Sequence, residues 1–233
     1  MIINRDMSFR VVCNIRTPDG LGKENIGTGI FMCKEEAIWI VTASHVAKET
    51  KVSTYIALGD VNNDCTTVQL TDFNSKLDWV HHAVADISII KIDVNSDNSK
   101  YLENRCLPFD HFNVSNICVS RDSELTSIGF PNGLGIQGKF SPLTFRSYAS
   151  SAFLTLNRAD TKKPQVMFCL ENPSVGGYSG CPVFDLGYMV VGAMTTTKKK
   201  TICHGIMHGT MNDNTGGKIA LVTPCYYLDD LIN

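Results

Sequence analysis

The sequence predicts an all-β protein of two halves, each built from about six short strands, with one short helix near the C-terminus. Apolar runs rich in Val, Ile, Phe and Thr recur every ten residues or so between turn residues, a pattern typical of β-sandwiches and β-barrels. Only two segments have the spacing of a helix. An irregular stretch at about 96–122, rich in Asn, Ser, Asp and Pro, separates the two series of strands.

The predicted elements follow in chain order. The first series of strands is Phe9–Arg16, Gly29–Cys33, Ala37–Thr42, Val52–Leu58, Val68–Thr71 and Ile87–Ile92. The second series is Leu125–Phe130, Thr144–Leu156, Val166–Leu170, Val183–Phe184, Met189–Thr195, Ile202–His208 and Lys218–Thr223. The two helices are a single turn at Ser44–Lys48 and the final segment Tyr226–Ile232. We therefore expect one domain over residues 1–233, with halves at about 8–95 and 123–225 and a connector at about 96–122.

Composition and charge argue against several classes of function. Hydrophobic residues make up 43% and charged residues 19%, as in a packed globular protein. The net charge of -2 gives no basic face, so we expect neither nucleic acid nor a membrane as a partner. The run Lys198–Lys200 is expected to be a solvated loop tip. No apolar run reaches the roughly 18 residues of a membrane span, and Met1–Arg10 lacks the apolar core of a secretory signal.

The nine cysteines are scattered singly along the chain. No Cys-x-x-Cys pair is present, so the usual zinc-site spacing is absent and we expect neither a metal ion nor another cofactor. Several cysteines lie in apolar runs, as in Val11-Val12-Cys13. This indicates free, buried thiols in a reducing compartment and a cytoplasmic location. The alternative is a set of disulfides with one thiol left over.

A serine set among glycines is the first candidate for catalytic chemistry. Ser179 follows Gly176-Gly177-Tyr178 and precedes Gly180 and an apolar strand. A serine hydroxyl needs a base to act as a nucleophile, and its reaction needs donors for an oxyanion. Glycines make a tight loop sterically cheap, so the N–H groups of Gly177 and Ser179 are the predicted oxyanion donors. A glycine-rich turn with an incidental serine is the structural alternative.

Two other segments each supply a residue that such a serine requires. The apolar strand before His45 delivers an imidazole at its exit, and imidazole shuttles protons well near neutral pH. Asp86 opens a strongly apolar strand, where its carboxylate can accept the imidazole N–H. A structural histidine and a turn-capping aspartate are the ordinary interpretations of the two residues. The order His, Asp, Ser argues against three separate coincidences.

These segments resemble the motifs of the trypsin/chymotrypsin family of serine peptidases, above all its Deg/HtrA-like and intracellular bacterial or viral members. The three matching motifs are Thr42-Ala43-Ser44-His45, Asp86-Ile87-Ser88-Ile89-Ile90 and Gly177-Tyr178-Ser179-Gly180-Cys181-Pro182. Further local matches, which extend the resemblance over nearly the whole chain, are Gly27-Thr28-Gly29-Ile30, Ser127–Pro131 and Val191–Thr195. The resemblance implies two six-stranded antiparallel barrels. It also implies a serine endopeptidase that hydrolyses peptide bonds through an acyl-enzyme.

Departures from the family pattern are informative. Tyr178 stands where secreted trypsins have the aspartate that receives a newly cut N-terminus, so no such activation switch is expected. Val46 follows His45, which prevents the family's histidine-loop disulfide. Cys181 replaces a glycine and offers a cysteine nucleophile as an alternative to Ser179. The order of the three residues differs from that of α/β-hydrolases and subtilisins.

The resemblance also implies how a protein or peptide substrate binds. An extended substrate is expected to pair, as an added β-strand, with the segment near Thr195–Thr197. The predicted substrate-binding residues are Pro173, Gly176, Met194, Thr195, Thr196 and Thr197. The loop before Ala220 is expected to complete the pocket. No buried charge stands out, which favours a small or apolar side chain before the scissile bond. His208 at the rim would instead favour an acidic one.

Other residues support weaker hypotheses. His81 and His82 are expected at the surface or at the rim of the site, and Asp78 is an alternative triad carboxylate. Cys203-His204 with His208 resembles a metal grouping, but positions 204 and 208 of one strand lie about 13 Å apart. Two other functional classes stay open: a catalytically silent peptide-binding module, and a protease that depends on a protein activator.

Overall fold

The computed structural model describes residues 8–60, 62–192, 194–197, 200–212 and 214–232. Within them, the strands of the first half are β1 (Val12–Pro18), β2 (Glu24–Lys34), β3 (Ala37–Thr42), β4 (Tyr55–Gly59), β5 (Cys65–Gln69), β6 (Trp79–His81), β7 (Ser88–Lys91) and β8 (Leu107–Pro108). The strands of the second half are β9 (Leu125–Gly129), β10 (Leu143–Ser147), β11 (Leu154–Asn157), β12 (Pro164–Leu170), β13 (Pro182–Asp185), β14 (Tyr188–Val191), β15 (Met194–Thr197), β16 (Ile202–Asn212) and β17 (Lys218–Pro224). The helices are α1 (Ser44–Lys48) and α2 (Asp229–Ile232).

The strands form two main sheets, one from each half of the chain. The first has the order β5-β4-β1-β2-β3-β7-β6, with β8 paired to β2. The second has the order β10-β9-β13-β16-β17-β12-β11, and β14 and β15 form a separate hairpin. Neighbouring strands are antiparallel except for the short β2–β8 pair. The predicted fold class, all-β with two antiparallel halves and a short C-terminal helix, is confirmed.

Several predicted elements differ from the observed ones. The predicted strand Thr144–Leu156 is two strands, because β10 pairs with β9 whereas β11 pairs with β12. The predicted strand Met189–Thr195 is a hairpin that turns at Gly192, where φ is 61°. The final helix begins as a 3-10 turn at Cys225–Leu228. The two main sheets have eight and seven strands, in place of the six predicted for each half.

The first sheet is buried on both faces, which explains its continuous apolar runs. Alternate residues of a strand point to opposite faces. In β2, Phe31 packs into a core enclosed by the first half, whereas its neighbour Ile30 packs against the second sheet. In β3, Ile40 and Val41 divide in the same way. The shared core between the sheets also contains Phe130 from the second half.

Two further expectations concern the cysteines and the terminal segments. All nine cysteines are free, and five of them are buried, as their apolar sequence context predicted. None of the described helices is long and apolar enough to cross a membrane. Lys198 and Lys199 of the predicted basic loop tip lie outside the described residues, as do Met1–Met7. Lys200 forms an ion pair with Asp110, with 2.8 Å between Nζ and Oδ2.

Candidate active site

His45 lies in α1, immediately after β3 leads the chain out of the first sheet. The residue before it, Ser44, is buried and donates from Oγ to the carbonyl oxygen of Ile87 at 2.8 Å, which ties α1 to the start of β7. The small Ala43 is fully buried and lets the chain turn close to the sheet. The His45 side chain keeps 31% of its surface exposed, so its ring faces both the protein and solvent.

Asp86 holds His45 through two hydrogen bonds. Its Oδ2 lies 2.7 Å from His45 Nδ1, and its Oδ1 accepts the backbone N–H of His45 at 3.0 Å. The Asp86 side chain is fully buried. Burial raises the pKa of a carboxyl group, but hydrogen bonds from His208 and His45 outweigh it and hold the pKa of Asp86 well below its usual range. An ionised carboxylate only accepts, so the His45 proton lies on Nδ1 and leaves Nε2 as a base.

Ser179 lies in a tight loop that is fixed to both sheets. Its carbonyl oxygen accepts the N–H of Thr28 at 2.8 Å, and the N–H of Gly180 donates to Met207 at 2.8 Å. Gly180 has φ of 86°, and a Cβ there would lie 2.1 Å from the carbonyl oxygen of Thr28. Only glycine fits this close approach, so the glycine after the serine is required by the fold.

The peptide between Gly176 and Gly177 is oriented by a hydrogen bond on its outer side. The carbonyl oxygen of Gly176 accepts the N–H of Asn132 at 2.7 Å. In a trans peptide the N–H points opposite to the carbonyl, so the Gly177 N–H points away from Asn132. Among the described residues, none accepts a hydrogen bond from the backbone N–H of Gly177 or from that of Ser179. Both predicted oxyanion donors are therefore available to a ligand.

His45 and Ser179 line the same small cavity, of about 150 Å³. The Ser179 hydroxyl donates to the carbonyl oxygen of His208, with 3.3 Å between the oxygens. Among the described contacts there is no hydrogen bond between Ser179 and His45. The other wall of the cavity includes Ile26 and Glu49. The three predicted triad residues are thus brought to one place, with the serine hydroxyl turned toward β16.

His208 is a second histidine on the same carboxylate, and this contact differs from the predicted place of His208 at a pocket rim. Its Nδ1 lies 2.5 Å from Asp86 Oδ2, and its side chain is buried. The His45 and His208 rings meet edge to face, with centroids 5.7 Å apart. His208 is therefore not at a pocket rim, which removes the basis for an acidic side chain before the scissile bond.

Two polar residues from the second sheet complete the surroundings of Asp86. Arg158, in the turn after β11, brings Nη2 to 3.2 Å from Asp86 Oδ1. Gln165, in β12, accepts the backbone N–H of Asp86 at 2.6 Å through Oε1 and donates to Thr223 Oγ1 at 3.0 Å. Both carboxylate oxygens and the backbone N–H of Asp86 are thus hydrogen-bonded. In the sequence, Arg158 is an isolated arginine between two predicted strands. That pattern is too common to indicate a contact with Asp86.

A metal ion is a poor match for this group of residues. The ligand atoms of His45, Asp86 and His208 lie within 4.8 Å of one another. However, His208 Nε2 accepts the N–H of Ala159 at 3.0 Å, which puts the ring proton on Nδ1, the atom that faces Asp86. A protonated nitrogen has no lone pair for a metal. The cluster is explained by hydrogen bonding alone.

Four of the predicted substrate-binding residues lie elsewhere. Pro173 and Gly176 are exposed in the loop that leads to Ser179. Met194–Thr197 instead form β15, in the hairpin that follows β13. Because β13 runs away from Ser179 and pairs with β16 as far as Ile202, the hairpin begins about 20 Å beyond the serine. The prediction that Val191–Thr195 forms the strand beside the nucleophile is therefore wrong. This apolar run with a glycine belongs to the hairpin of β14 and β15.

The strand beside Ser179 is β16. Its Met207 exchanges two backbone hydrogen bonds with the serine loop, accepting from Gly180 and donating to Cys181, each at 2.8 Å. Thr210, further along β16, donates from Oγ1 to the carbonyl oxygen of Ser174 at 3.0 Å. β13 pairs with β16 only up to Ile206. The edge of β16 beyond Ile206 on that side has no strand partner within the described part of the chain.

The weaker candidates are not brought to the site as catalytic groups. Cys181 is fully buried, and burial raises the pKa of its thiol well above the usual range, which argues against a cysteine nucleophile. The Nδ1 of His81 bonds to Ser88 Oγ at 2.7 Å, and His82 pairs with Asp230 at 3.0 Å. His204 Nδ1 lies 3.2 Å from Asn113 Nδ2, so the grouping of Cys203, His204 and His208 is not formed.

Asp78, the alternative triad carboxylate, belongs to a separate turn. Its backbone N–H donates to the side chain of Asn74 at 3.1 Å. Asp86 alone among the two carboxylates contacts His45.

Comparisons with known proteins identify the family and the fold of the chain. The family model of the trypsin-like peptidase domain matches residues 27–193. The fold is similar to the MamO protease domain from Magnetospirillum magneticum, with 12% identity, a TM-score of 0.61 and coverage of 97% of this chain and 98% of that one. A protease from M. tuberculosis in its active form has 16% identity, a TM-score of 0.61 and coverage of 97% and 80%.

A serine endoprotease from Yersinia pestis has 16% identity and a TM-score of 0.56, and the alignment covers 100% of this chain and 66% of that one. At these identities the likeness concerns the fold. No curated protein sequence matches the chain.

Proposed function

Because the chain belongs to the trypsin-like peptidase domain family, we propose that it is a serine endopeptidase with Ser179 as nucleophile, His45 as general base and Asp86 as the carboxylate that orients the base. The observation that carries this proposal is the pair of hydrogen bonds between Asp86 and His45. The carboxylate binds both the ring Nδ1 and the backbone N–H of the same residue. That geometry fixes the tautomer and the ring direction that a base for a serine hydroxyl needs.

The proposed reaction is an acyl transfer in two stages. His45 Nε2 accepts the Ser179 proton as Oγ attacks the carbonyl carbon of the scissile bond. The Gly177 and Ser179 N–H groups stabilise the oxyanion of the tetrahedral intermediate. Protonated His45 then donates its proton to the leaving amine, and the C–N bond breaks to give an acyl-enzyme. Water hydrolyses the acyl-enzyme by the same route.

A resting Ser179 hydroxyl bonded to His208 requires one adjustment before attack. Rotation about the Cα–Cβ bond of Ser179 moves Oγ from the carbonyl of His208 toward the cavity that it shares with His45. Staggered rotamers interconvert readily at a half-exposed position. The hydrogen bond that is broken, 3.3 Å long, is longer than the usual O–H···O range of about 2.5–3.0 Å and is therefore weak.

We place the substrate backbone against the unpaired edge of β16, and not against β15. An extended peptide there would continue the sheet beyond β13 as an added strand, starting beside Gly209. This edge begins next to Ser179, so a peptide on it would pass its carbonyl carbon over the serine. Pro173 and Gly176, on the opposite side of the loop, stay our candidates for contacts to the side chain before the scissile bond.

A library of unstructured peptides tests the proposed function. The purified protein and a Ser179→Ala variant are incubated with the library, and new termini are identified by mass spectrometry. We expect internal cleavages with the native chain and none with the variant. Cleavage by both proteins, or removal of single terminal residues only, would contradict a serine endopeptidase.

Partner-dependent activation is a second candidate, favoured by the Ser179–His208 hydrogen bond. In this case the hydroxyl stays turned from His45 until a protein activator or a substrate shifts the loop. A chain of this kind would react slowly with a fluorophosphonate on its own and faster with the activator present, whereas a preformed site reacts at the same rate with and without it. The cytoplasmic location stays a prediction, supported by the nine free cysteines.

A further inference from the structure

Asp86, the proposed triad carboxylate, contacts Arg158 in the turn after β11 and His208 in β16, both of the second half. We propose that Arg158, Ala159 and His208 are positioning residues that fix Asp86 and set the charge around His45. This inference rests on the proposed function, since it concerns the same carboxylate. Asp86 comes from the first half of the chain, whereas the turn lies between β11 and β12 of the second half. The contact therefore couples the geometry of the triad to the packing of the two halves.

His208 is locked as a hydrogen-bond donor. Its Nε2 accepts the N–H of Ala159 at 3.0 Å, so its proton lies on Nδ1 and points at Asp86 Oδ2, 2.5 Å away. Adding a second proton to the ring would set two N–H groups against each other at Ala159. With 2% of the side chain exposed, water cannot replace this partner. His208 thus gives Asp86 a second hydrogen-bond donor beside the donor from His45.

Arg158 supplies a charged partner to the other carboxylate oxygen. Its Nη2 lies 3.2 Å from Asp86 Oδ1, and its Nη1 donates to the carbonyl oxygen of Val84 at 2.9 Å. Its Nε and Nη2 also bond to the two carboxylate oxygens of Asp160, at 2.9 and 2.6 Å. Only 5% of the side chain is exposed. The guanidinium is therefore fixed between two carboxylates, one of which belongs to the triad.

The charges around His45 can be counted from these contacts. Asp86 faces it directly, and the His208 ring meets it edge to face. Arg158 lies behind Asp86, and Asp160 lies behind Arg158. Glu49, the residue after α1, lines the cavity that His45 shares with Ser179. Arg158 disfavours a proton on the His45 Nε2 because it is a cation near a cation, whereas Asp160 favours one. The two residues should act on the acid side of the pH profile in opposite directions.

Fluorophosphonate labelling across pH tests this inference. The second-order rate constant for the Ser179 adduct is measured by intact mass from pH 5 to 9 for the native chain and for Arg158→Met, Arg158→Lys and Asp160→Asn. The control is Arg146→Met, which removes an exposed arginine paired to Glu124 at 3.6 Å. Loss of one charge at this range moves a titration on the order of one pH unit.

The expected results have opposite signs. Arg158→Met moves the acid limb to higher pH by about one unit, and Asp160→Asn moves it to lower pH. In Arg158→Lys the acid limb stays at the same pH, because the positive charge is kept. The plateau rate falls, because a lysine cannot bond to Asp86 and Asp160 in the geometry of the guanidinium. Arg146→Met changes neither. Coincident limbs for the native chain and all variants would overturn the inference. An unlabelled native chain would overturn the proposed function, and the inference with it.

Discussion

Gly177 is the position where one added methyl group tests the proposed oxyanion site. Its φ is 94°, and a Cβ there would lie 2.3 Å from the carbonyl oxygen of Phe130 and 3.0 Å from the N–H nitrogen of Asn132. Both neighbours are backbone atoms, so the clash cannot be relieved by a side-chain rotation. Relief requires a displacement of about 1 Å, and displacements of this size cost about 100-fold in rate. We therefore expect Gly177→Ala to lower the fluorophosphonate labelling rate of Ser179 at least about 100-fold.

Gly138→Ala is the matched control for that variant. Gly138 also has a positive φ, 79°, but an added Cβ meets nothing within 4 Å. Both variants carry the strain of a left-handed backbone, about 1–2 kcal/mol, which by itself lowers Tm by about 2–8 °C, and the clash in Gly177→Ala lowers its Tm further. Only Gly177→Ala should lose labelling. Tm by calorimetry and labelling by intact mass separate the two effects. Native-like labelling of Gly177→Ala with a lowered Tm would refute the role of the Gly177 N–H.

Three other predictions concern the carboxylate and the core. Asp86→Asn should lower the labelling rate on the order of 10³- to 10⁴-fold with the fold intact by circular dichroism, because an amide no longer fixes the tautomer of His45; a loss under tenfold would count against the triad. Because the pKa of Asp86 is depressed in the native state, its contribution to stability is present above the unfolded pKa near 4 and is lost as pH falls below it. The free energy of unfolding, measured by urea titration from pH 7 to 3, should therefore fall more steeply for the native chain than for Asp86→Asn, by up to about 1.4 kcal/mol per pH unit, and equal slopes would contradict the depressed pKa. Phe31→Ala should destabilise the protein by about 3–5 kcal/mol, since Phe31 is fully buried against Phe73 with ring centroids 6.4 Å apart; an unchanged urea midpoint would mean that this core is not packed as described.

The parts of the site that the sequence predicted are those with strong local requirements. His45 and Asp86 lie at the end and at the start of buried strands, and such strands are visible as apolar runs. Gly180 has a neighbour 2.1 Å from where its Cβ would be, so its presence beside Ser179 reflects a steric need of the loop. Requirements of this kind act over a few residues, which is why motif and spacing were enough to find them.

The parts that were missed depend on how the sheets pack. His208 is 122 residues from Asp86 in sequence, and Arg158 is 72 residues away. Nothing in the local pattern of β16 distinguishes a buried histidine from one at a pocket rim. The substrate strand was placed on Thr195–Thr197 because an apolar run with a glycine can form either a central strand or a hairpin. Pairing of β13 with β16 decides between them, and that pairing is a long-range contact.

The most direct test of the central claim is intact-mass analysis after incubation with a fluorophosphonate, performed on the native chain and on Ser179→Ala. Fluorophosphonates react with a serine only when a neighbouring base has activated it. We predict one adduct per native chain, mapped to Ser179, and none on the variant. An unmodified native chain, or an adduct that persists in Ser179→Ala, would contradict the assignment of Ser179, His45 and Asp86 as a working triad.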